Sequence, residues 1–155
     1  MNYIIDAYNL IGKLSNISLA DKDKEEKLIQ LLSNFNKKKK DYFILVFDGK
    51  NKETPYQSQQ DLDQIKIIFT DILESADEYI LRLIQSLPHK ENYTVISSDN
   101  EIKYKSKKNK LTCINSESFF RYISSQKKNS ETKKPLVEKL EMDYWLNEFN
   151  KKNKK

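Results

Sequence analysis

Four aspartates in this sequence stand where short apolar runs end or where a helix begins. Asp6 ends YIID, Asp48 ends VFD and Asp99 ends VISSD, while Asp77 lies in the helical segment SADEYI. Clustered carboxylates repel one another, at roughly 4 kcal/mol for two unit charges ~4 Å apart at an effective dielectric near 20. If these acids meet, the cluster needs a proton, a cation or a basic partner.

Oxygen ligands alone favour Mg²⁺ or Mn²⁺ over zinc. The chain has one cysteine and one histidine, His89, which follows a proline in a predicted loop, so no cluster of zinc ligands competes. A hydrated cation held by carboxylates can orient a water molecule and neutralise the charge of a phosphodiester. The alternative is structural, since Asp99 before NEIKY is also suited to capping a helix.

Five short runs rich in Ile, Val, Phe and Tyr predict the strands that position these acids. They are apolar at successive positions, which is typical of strands covered on both faces. If strand one is central, with two and three on one side and four and five on the other, Asp6 and Asp99 flank the crevice where ligands bind. The predicted strands are residues 3–5, 42–47, 65–69, 93–97 and 111–114.

Helical patterns alternate with these strands, which predicts a three-layer α/β/α fold around a parallel sheet of about five strands. Apolar residues share one helical face in residues 28–35, 80–87 and, more briefly, 116 to about 125. Ser75 with Glu78 three residues later forms a capping box ahead of the second helix.

The chain divides into a main domain and a C-terminal appendage. Residues 1–125 form the predicted domain, and 126–134 (QKKNSETKK) contain no apolar residue and are predicted to be a linker. Pro135 suits the first turn of a last helix over 135–150, and the Lys-rich tail 151–155 is predicted to be disordered.

Composition narrows the class of protein. Lys and Arg total 28 against 23 Asp and Glu, and this net charge of +5 permits a polyanionic partner without proving one. The two glycines cannot build a Gly-rich phosphate loop. The single cysteine fits a reducing compartment, and the apolar runs are too short to span a bilayer, so a cytoplasmic protein with no membrane association is expected.

Four segments resemble, in order, the motifs of the NYN domain. They are DAYN (6–9), VFDG (46–49), IIFTDILESADEYI (67–80) and VISSDNEI (95–102). The sequence looks most like the YacP-like branch, within the PIN-like nuclease superfamily, over roughly residues 2–125. DYWLNEF (143–149) also resembles the short Trp/Phe helix that ends many bacterial members.

The resemblance implies a metal-dependent ribonuclease that uses Mg²⁺ or Mn²⁺. By position, Asp6, Asp77 and Asp99 match the metal-binding catalytic acids of the family, and Asp48 matches a further acid. Two more positions match conserved polar neighbours of the site: Asn9 and Ser98.

The sequence departs from the family at two positions beside these residues. Ala7 stands where glycine is usual. The change adds only a methyl group, so little effect is expected unless the backbone at this position needs a positive φ. Asn100 stands where arginine is common, which removes a possible phosphate contact.

Basic residues follow Asp99 directly, in the segment KYKSKKNK. Lysines attract phosphates regardless of sequence, and a tyrosine can stack on a base. The alternative is a solvated helix face and turn. The candidate RNA-binding residues are Lys103, Tyr104, Lys105, Lys107, Lys108 and Lys110.

Two functions remain open at this point. One is an endoribonuclease acting in RNA processing or on ribosome-associated RNA, since the family includes ribosome-associated members. The other is an RNA-binding module of the same fold with little or no catalysis. The polar segment 50–60 is predicted to be a loop, which either closes over substrate or is a tolerated insertion. The sequence predicts neither the RNA nor the oligomeric state.

Overall fold

The computed structural model describes residues 1–37, 39–50 and 56–131, with side chains as far as residue 126. This part of the chain contains six strands and five α-helices. The strands are β1 (Asn2–Asp6), β2 (Tyr42–Phe47), β3 (Ser58–Leu62), β4 (Ile65–Phe69), β5 (Tyr93–Ile96) and β6 (Thr112–Ile114). The helices are α1 (Ala7–Ile11), α2 (Lys24–Phe35), α3 (Ala76–Ser86), α4 (Asn100–Lys108) and α5 (Ser116–Glu131).

The sheet has the order β3-β4-β2-β1-β5-β6, and all neighbouring strands except β3 and β4 run parallel. β1 is therefore central, between β2 and β5, as the sequence predicts. Asp6, the last residue of β1, pairs with Val46 of β2, two residues before Asp48. Neighbouring parallel strands end at the same edge of a sheet. The carboxyl ends of β1, β2 and β5 bring their acids to the same edge.

The sheet has one strand more than the five predicted. β3 pairs antiparallel with β4, from Ser58 opposite Phe69 to Leu62 opposite Ile65. Residues 58–60 belong to the segment 50–60 that is predicted to be a loop, so that prediction is wrong for these three residues. All five of its side chains are exposed, so it shows no apolar alternation, and backbone hydrogen bonds to β4 form this edge strand.

Two apolar layers cover the sheet, which confirms the α/β/α class. On one face Phe43, Leu45 and Phe47 of β2 belong to a cluster with side chains from α1, α2 and α5. On the other face Ile44 and Val46 belong to a cluster with α3 and α4. Since successive strand residues point to opposite faces, the unbroken apolar run of β2 serves both layers.

The last described helix is longer than predicted. α5 runs to Glu131, past the expected end near Ser125, and so includes the first six residues of the predicted linker. The rest of that linker, the predicted helix 135–150 and the tail 151–155 lie outside the described residues. Within the described segments, no helix has the length and apolar content needed to cross a membrane.

Candidate active site

Asp6 is the most buried acid of the C-terminal edge of the sheet. It ends β1 just before α1 and is only 6% exposed. Burial, then a side-chain hydrogen bond and charge repulsion from Asp77, raise the pKa of Asp6 to about 7. The Asn9 N–H and the Ser97 hydroxyl oppose this pKa shift by favouring the carboxylate. In the absence of a cation, Asp6 therefore carries a proton at mildly acidic pH.

Asp77 is the acid that shares this hydrogen bond with Asp6. It lies in the first turn of α3, whose N-cap Ser75 accepts a hydrogen bond from the Glu78 N–H at 3.1 Å. Burial raises the pKa of Asp77, and the charges of Asp99 and Asp48 raise it further, while the hydrogen bond from Asp6 lowers it. The shared proton thus lies on the more buried Asp6 and is donated to Asp77.

Asp99 has two structural roles besides its place at the edge. It is the N-cap of α4, and its Oδ1 accepts the Ile102 N–H at 3.0 Å, so the capping alternative holds for this acid. Its own N–H donates to Ser97 Oγ at 3.1 Å. Ser97 Oγ in turn donates to Asp6 Oδ2 at 3.4 Å, so this fully buried serine connects Asp6 with Asp99.

Asp48 follows β2 on the other side of Asp6. Its Oδ1 accepts the Lys50 N–H at 2.9 Å, and the neighbouring Gly49 N–H donates to Thr70 Oγ1 at 2.9 Å. These bonds fix the turn after β2. The charge of Asp48 acts on Asp77 from this position, so all four predicted acids belong to one electrostatic cluster.

A cleft of about 410 Å³ opens over these acids. No lysine or arginine lines it within the described segments. The lining residues are Asp6, Tyr8, Asn9, Asp48, Ser75, Ala76, Asp77 and Asp99. The four carboxylates make the cleft strongly anionic.

The donor set suits a hydrated hard cation better than a closed metal cage. Among the described residues, no group of three or more His, Cys, Asp or Glu side chains converges closely enough to surround an ion. Mg²⁺ keeps several waters and takes one or two protein carboxylates, and the hydrogen-bonded pair Asp6–Asp77 supplies such ligands. Asp99 and Asp48 would then act through bound water.

The two predicted polar neighbours of the acids, Asn9 and Ser98, lie in different places. Asn9 lines the cleft. Ser98 does not, because its hydroxyl points toward α5 and donates to Glu117 Oε2 at 2.8 Å. The serine that contacts the acids is Ser97, one residue earlier, which the sequence predicts only as the end of a strand.

Tyr8 is a further lining residue that sequence reasoning missed, although it lies between Asp6 and Asn9. Its hydroxyl donates to Glu25 Oε1 at 2.7 Å, and its ring packs edge-on against Phe47 at 5.2 Å. Burial, then the contact with Glu25, raise the pKa of Tyr8 well above its usual value. Tyr8 is therefore a neutral, fixed wall of the cleft.

The basic segment extends away from the acids. Lys103 and Tyr104 lie in the second turn of α4, nearest Asp99, and Tyr104 is 63% exposed. At ~1.5 Å per residue, the last residue of the helix lies roughly 12 Å along the axis from its first residue, Asn100. There Asn109 accepts a hydrogen bond from Lys90, which precedes β5, so this end lies toward the opposite edge of the sheet. The structure thus separates Lys107, Lys108 and Lys110 from the cleft.

The departure at Ala7 does not strain the backbone. Ala7 is the first residue of α1, and it is fully buried. Among the described non-glycine residues, positive φ occurs at Asp63, His89 and Lys110 only. A glycine is therefore not required at position 7.

Over residues 3–155 the sequence matches the family described as the YacP-like NYN domain. The chain belongs to this family. The YacP-like NYN family is of nuclease type, and the match confirms the resemblance drawn from the four motifs.

Solved structures agree on the fold. A crystal structure of Rae1 (YacP) from Bacillus subtilis superposes with a TM-score of 0.64, at 22% identity, over 99% of this chain and 95% of that one. A single-substitution mutant of the same protein gives a TM-score of 0.67 at 21% identity, over 86% of this chain and 82% of that one. No curated protein matches the sequence.

Proposed function

We propose that this YacP-like NYN domain is a metal-dependent endoribonuclease that hydrolyses RNA phosphodiester bonds at the acid cluster. One observation carries the proposal. Asp6, buried at the end of the central strand, shares a hydrogen bond with Asp77 at the floor of a cleft that two further acids line. Burying carboxylates together costs stability, so such a cluster is typical of a site where a cation or a reaction needs it.

Three acids would hold Mg²⁺ or Mn²⁺: Asp6 and Asp77 as direct ligands, and Asp99 through bound water. When bound, the cation supplies charge neutralisation for the phosphodiester and a water molecule of lowered pKa. Asp6 gives up its proton on binding, because a carboxylate ligand must be ionised. Ser97 keeps Asp6 and the Asp99 backbone in register through its hydroxyl.

RNA is the proposed substrate, and the ribosome is a candidate partner from the family resemblance. In the described part of the chain, Lys103 and Tyr104 are the members of the basic segment closest to the acids. We assign them the contact with the RNA backbone and with one base. The protein would act in the cytoplasm.

The second candidate is an RNA-binding module with little or no catalysis. Two observations favour this candidate. The described acids form no ready cage of three ligands, and Asn100, where arginine is common in the family, begins α4 beside the cleft as an exposed, uncharged residue. If the cleft binds phosphate more weakly without this arginine, RNA binding would depend on the lysines of the basic segment.

Cleavage of labelled RNA distinguishes the two candidates. We expect the wild type with Mn²⁺ to shorten a mixed set of RNAs, and Asp99→Asn to lose at least about a hundredfold in rate. Asn also caps helices well, so this variant keeps α4, whereas Asp99→Ala would cost about 1 kcal/mol of stability.

Controls with EDTA separate the outcomes. Cleavage that stops in EDTA and in Asp99→Asn supports the nuclease. Equal cleavage by the wild type and the variant contradicts the assigned site. Salt-sensitive retention of intact RNA, with no cleavage in Mg²⁺ or in Mn²⁺, favours the binding module.

A further inference from the structure

Four polar residues join α1, the end of β5 and the start of α5 behind the cleft. Together they form the Asn9 network: Asn9, Ser98, Ser116 and Glu117. Asn9 Oδ1 accepts the Ser98 backbone N–H at 2.9 Å and the Ser116 hydroxyl at 2.7 Å. Ser116 is fully buried, so its hydroxyl has no competing water partner. The side-chain amide of Asn9 is therefore held from one side by two donors.

These two bonds determine which way the amide faces. A backbone N–H can only donate, so Oδ1 and not Nδ2 must face Ser98. Both hydrogen bonds that the Asn9 side chain makes within the described residues end on Oδ1. Nδ2 therefore points away from Ser98 and Ser116 and makes no hydrogen bond within the described residues, while Asn9 as a residue lines the cleft.

The rest of the network fixes the two serines. The Ser116 N–H donates to Ser98 Oγ at 3.0 Å, and the Ser98 hydroxyl donates to Glu117 Oε2 at 2.8 Å. Glu117 Oε1 lies 3.4 Å from the Lys13 ammonium, just beyond the end of α1. The Ser98 hydroxyl thus accepts from one residue of α5 and donates to the next. These two bonds fix the start of α5, and with it Ser116, relative to Asn9.

We propose that Ser116 is a positioning residue for RNA cleavage and acts through Asn9. It holds the amide so that Nδ2 donates to a phosphate oxygen of the substrate. In a cleft lined by four carboxylates, a neutral donor attracts phosphate without competing for the cation. The inference rests on the proposed function, and it adds α5 to the elements that build the site.

A double-mutant cycle tests the path from Ser116 to Asn9. We expect Asn9→Ala to lower kcat about a hundredfold and Ser116→Ala about tenfold, the loss of one hydrogen bond. If Ser116 acts through Asn9, the double variant is no slower than Asn9→Ala alone. Independent effects, which multiply to about a thousandfold, would overturn the proposal.

Two further variants keep the cycle interpretable. Ser116→Thr retains the hydroxyl and is expected to restore kcat to within about threefold of the wild type. Ser106→Ala removes another fully buried serine hydroxyl, in α4 and outside the cleft lining, and should change kcat less than about twofold. A loss in Ser106→Ala equal to that in Ser116→Ala would reduce the effect to general destabilisation and overturn the role.

A relaxation measurement separates this inference from the proposed function. In ¹⁵N-labelled wild type, the Asn9 side-chain amide should be as ordered as the backbone, and in Ser116→Ala its order parameter should fall below about 0.6. An unchanged order parameter would contradict the positioning role. A wild type that cuts no RNA would contradict the proposed function, and relaxation would then still decide whether Ser116 orders the Asn9 amide.

Discussion

Replacement of Asp6 by Asn is expected to lower the rate of RNA cleavage by on the order of a thousandfold. Asp6 lines the cleft and is the most buried of the four acids, and burial together with Asp77 raises its pKa to about 7. An amide of nearly the same shape removes the negative charge and with it the proposed metal ligand. The rate is measured in single turnover with labelled RNA and saturating Mn²⁺.

The same substitution at a remote site is the control for this prediction. Asp61→Asn changes an exposed residue of β3 that pairs with Lys66, away from the carboxyl edge of the sheet. It should cleave RNA at the wild-type rate within about twofold. An Asp6→Asn variant that retained more than a tenth of the wild-type rate would show that this acid is not central to the reaction.

Without divalent cations, the wild type is expected to lose stability as the pH rises from about 4 to about 7. Asp6 has its pKa raised from 3.8 to about 7, so the folded state binds a proton that the unfolded state has released across this window. The contribution is complete below pH 4 and is lost by about pH 7. At ~1.36 kcal/mol per pKa unit, it amounts to at most about 4 kcal/mol.

Denaturant unfolding in EDTA at pH 5 and pH 8 measures this loss. Asp6→Asn carries no titrating group there, so its free energy of unfolding should fall less than that of the wild type. At pH 8 the variant should be the more stable protein. Asp61→Asn should follow the wild type at both pH values. Parallel curves for the wild type and Asp6→Asn would contradict the raised pKa and the buried pair behind it.

The parts of the fold built on apolar runs are predictable from the sequence. The β2 run YFILVF is apolar at every position, because both faces of a central parallel strand are covered, and the structure confirms it together with the central place of β1. β3 was missed because its side chains, SQQDL, are exposed and its pairing uses only the backbone. A hydrogen-bonded edge strand leaves no pattern in such residues.

The acids of the site are predictable, but their polar neighbours are not. Adjacent residues at the end of a strand point in opposite directions, so Ser97 faces Asp6 while Ser98 faces α5. Position in a motif does not reveal that difference. Asn9 and Ser116 are 107 residues apart in the sequence, and only the folded chain brings them into contact.

The basic segment shows the same limit for surfaces. Lys103 and Lys110 are close in sequence, and a loop would have kept both near the acids. Because residues 100–108 form a helix that begins at the cleft, each further residue moves the chain ~1.5 Å away from it. Only the N-terminal half of α4 remains beside the site.

The central claim is that the acid cluster binds a divalent cation, and calorimetric titration with Mn²⁺ tests it most directly. At pH 8, the wild type should bind at least one Mn²⁺ per chain, Asp6→Asn should bind at least about tenfold more weakly, and Asp61→Asn should match the wild type. Equal affinity for Mn²⁺ in the wild type and Asp6→Asn would place any bound cation elsewhere and contradict this account of the site.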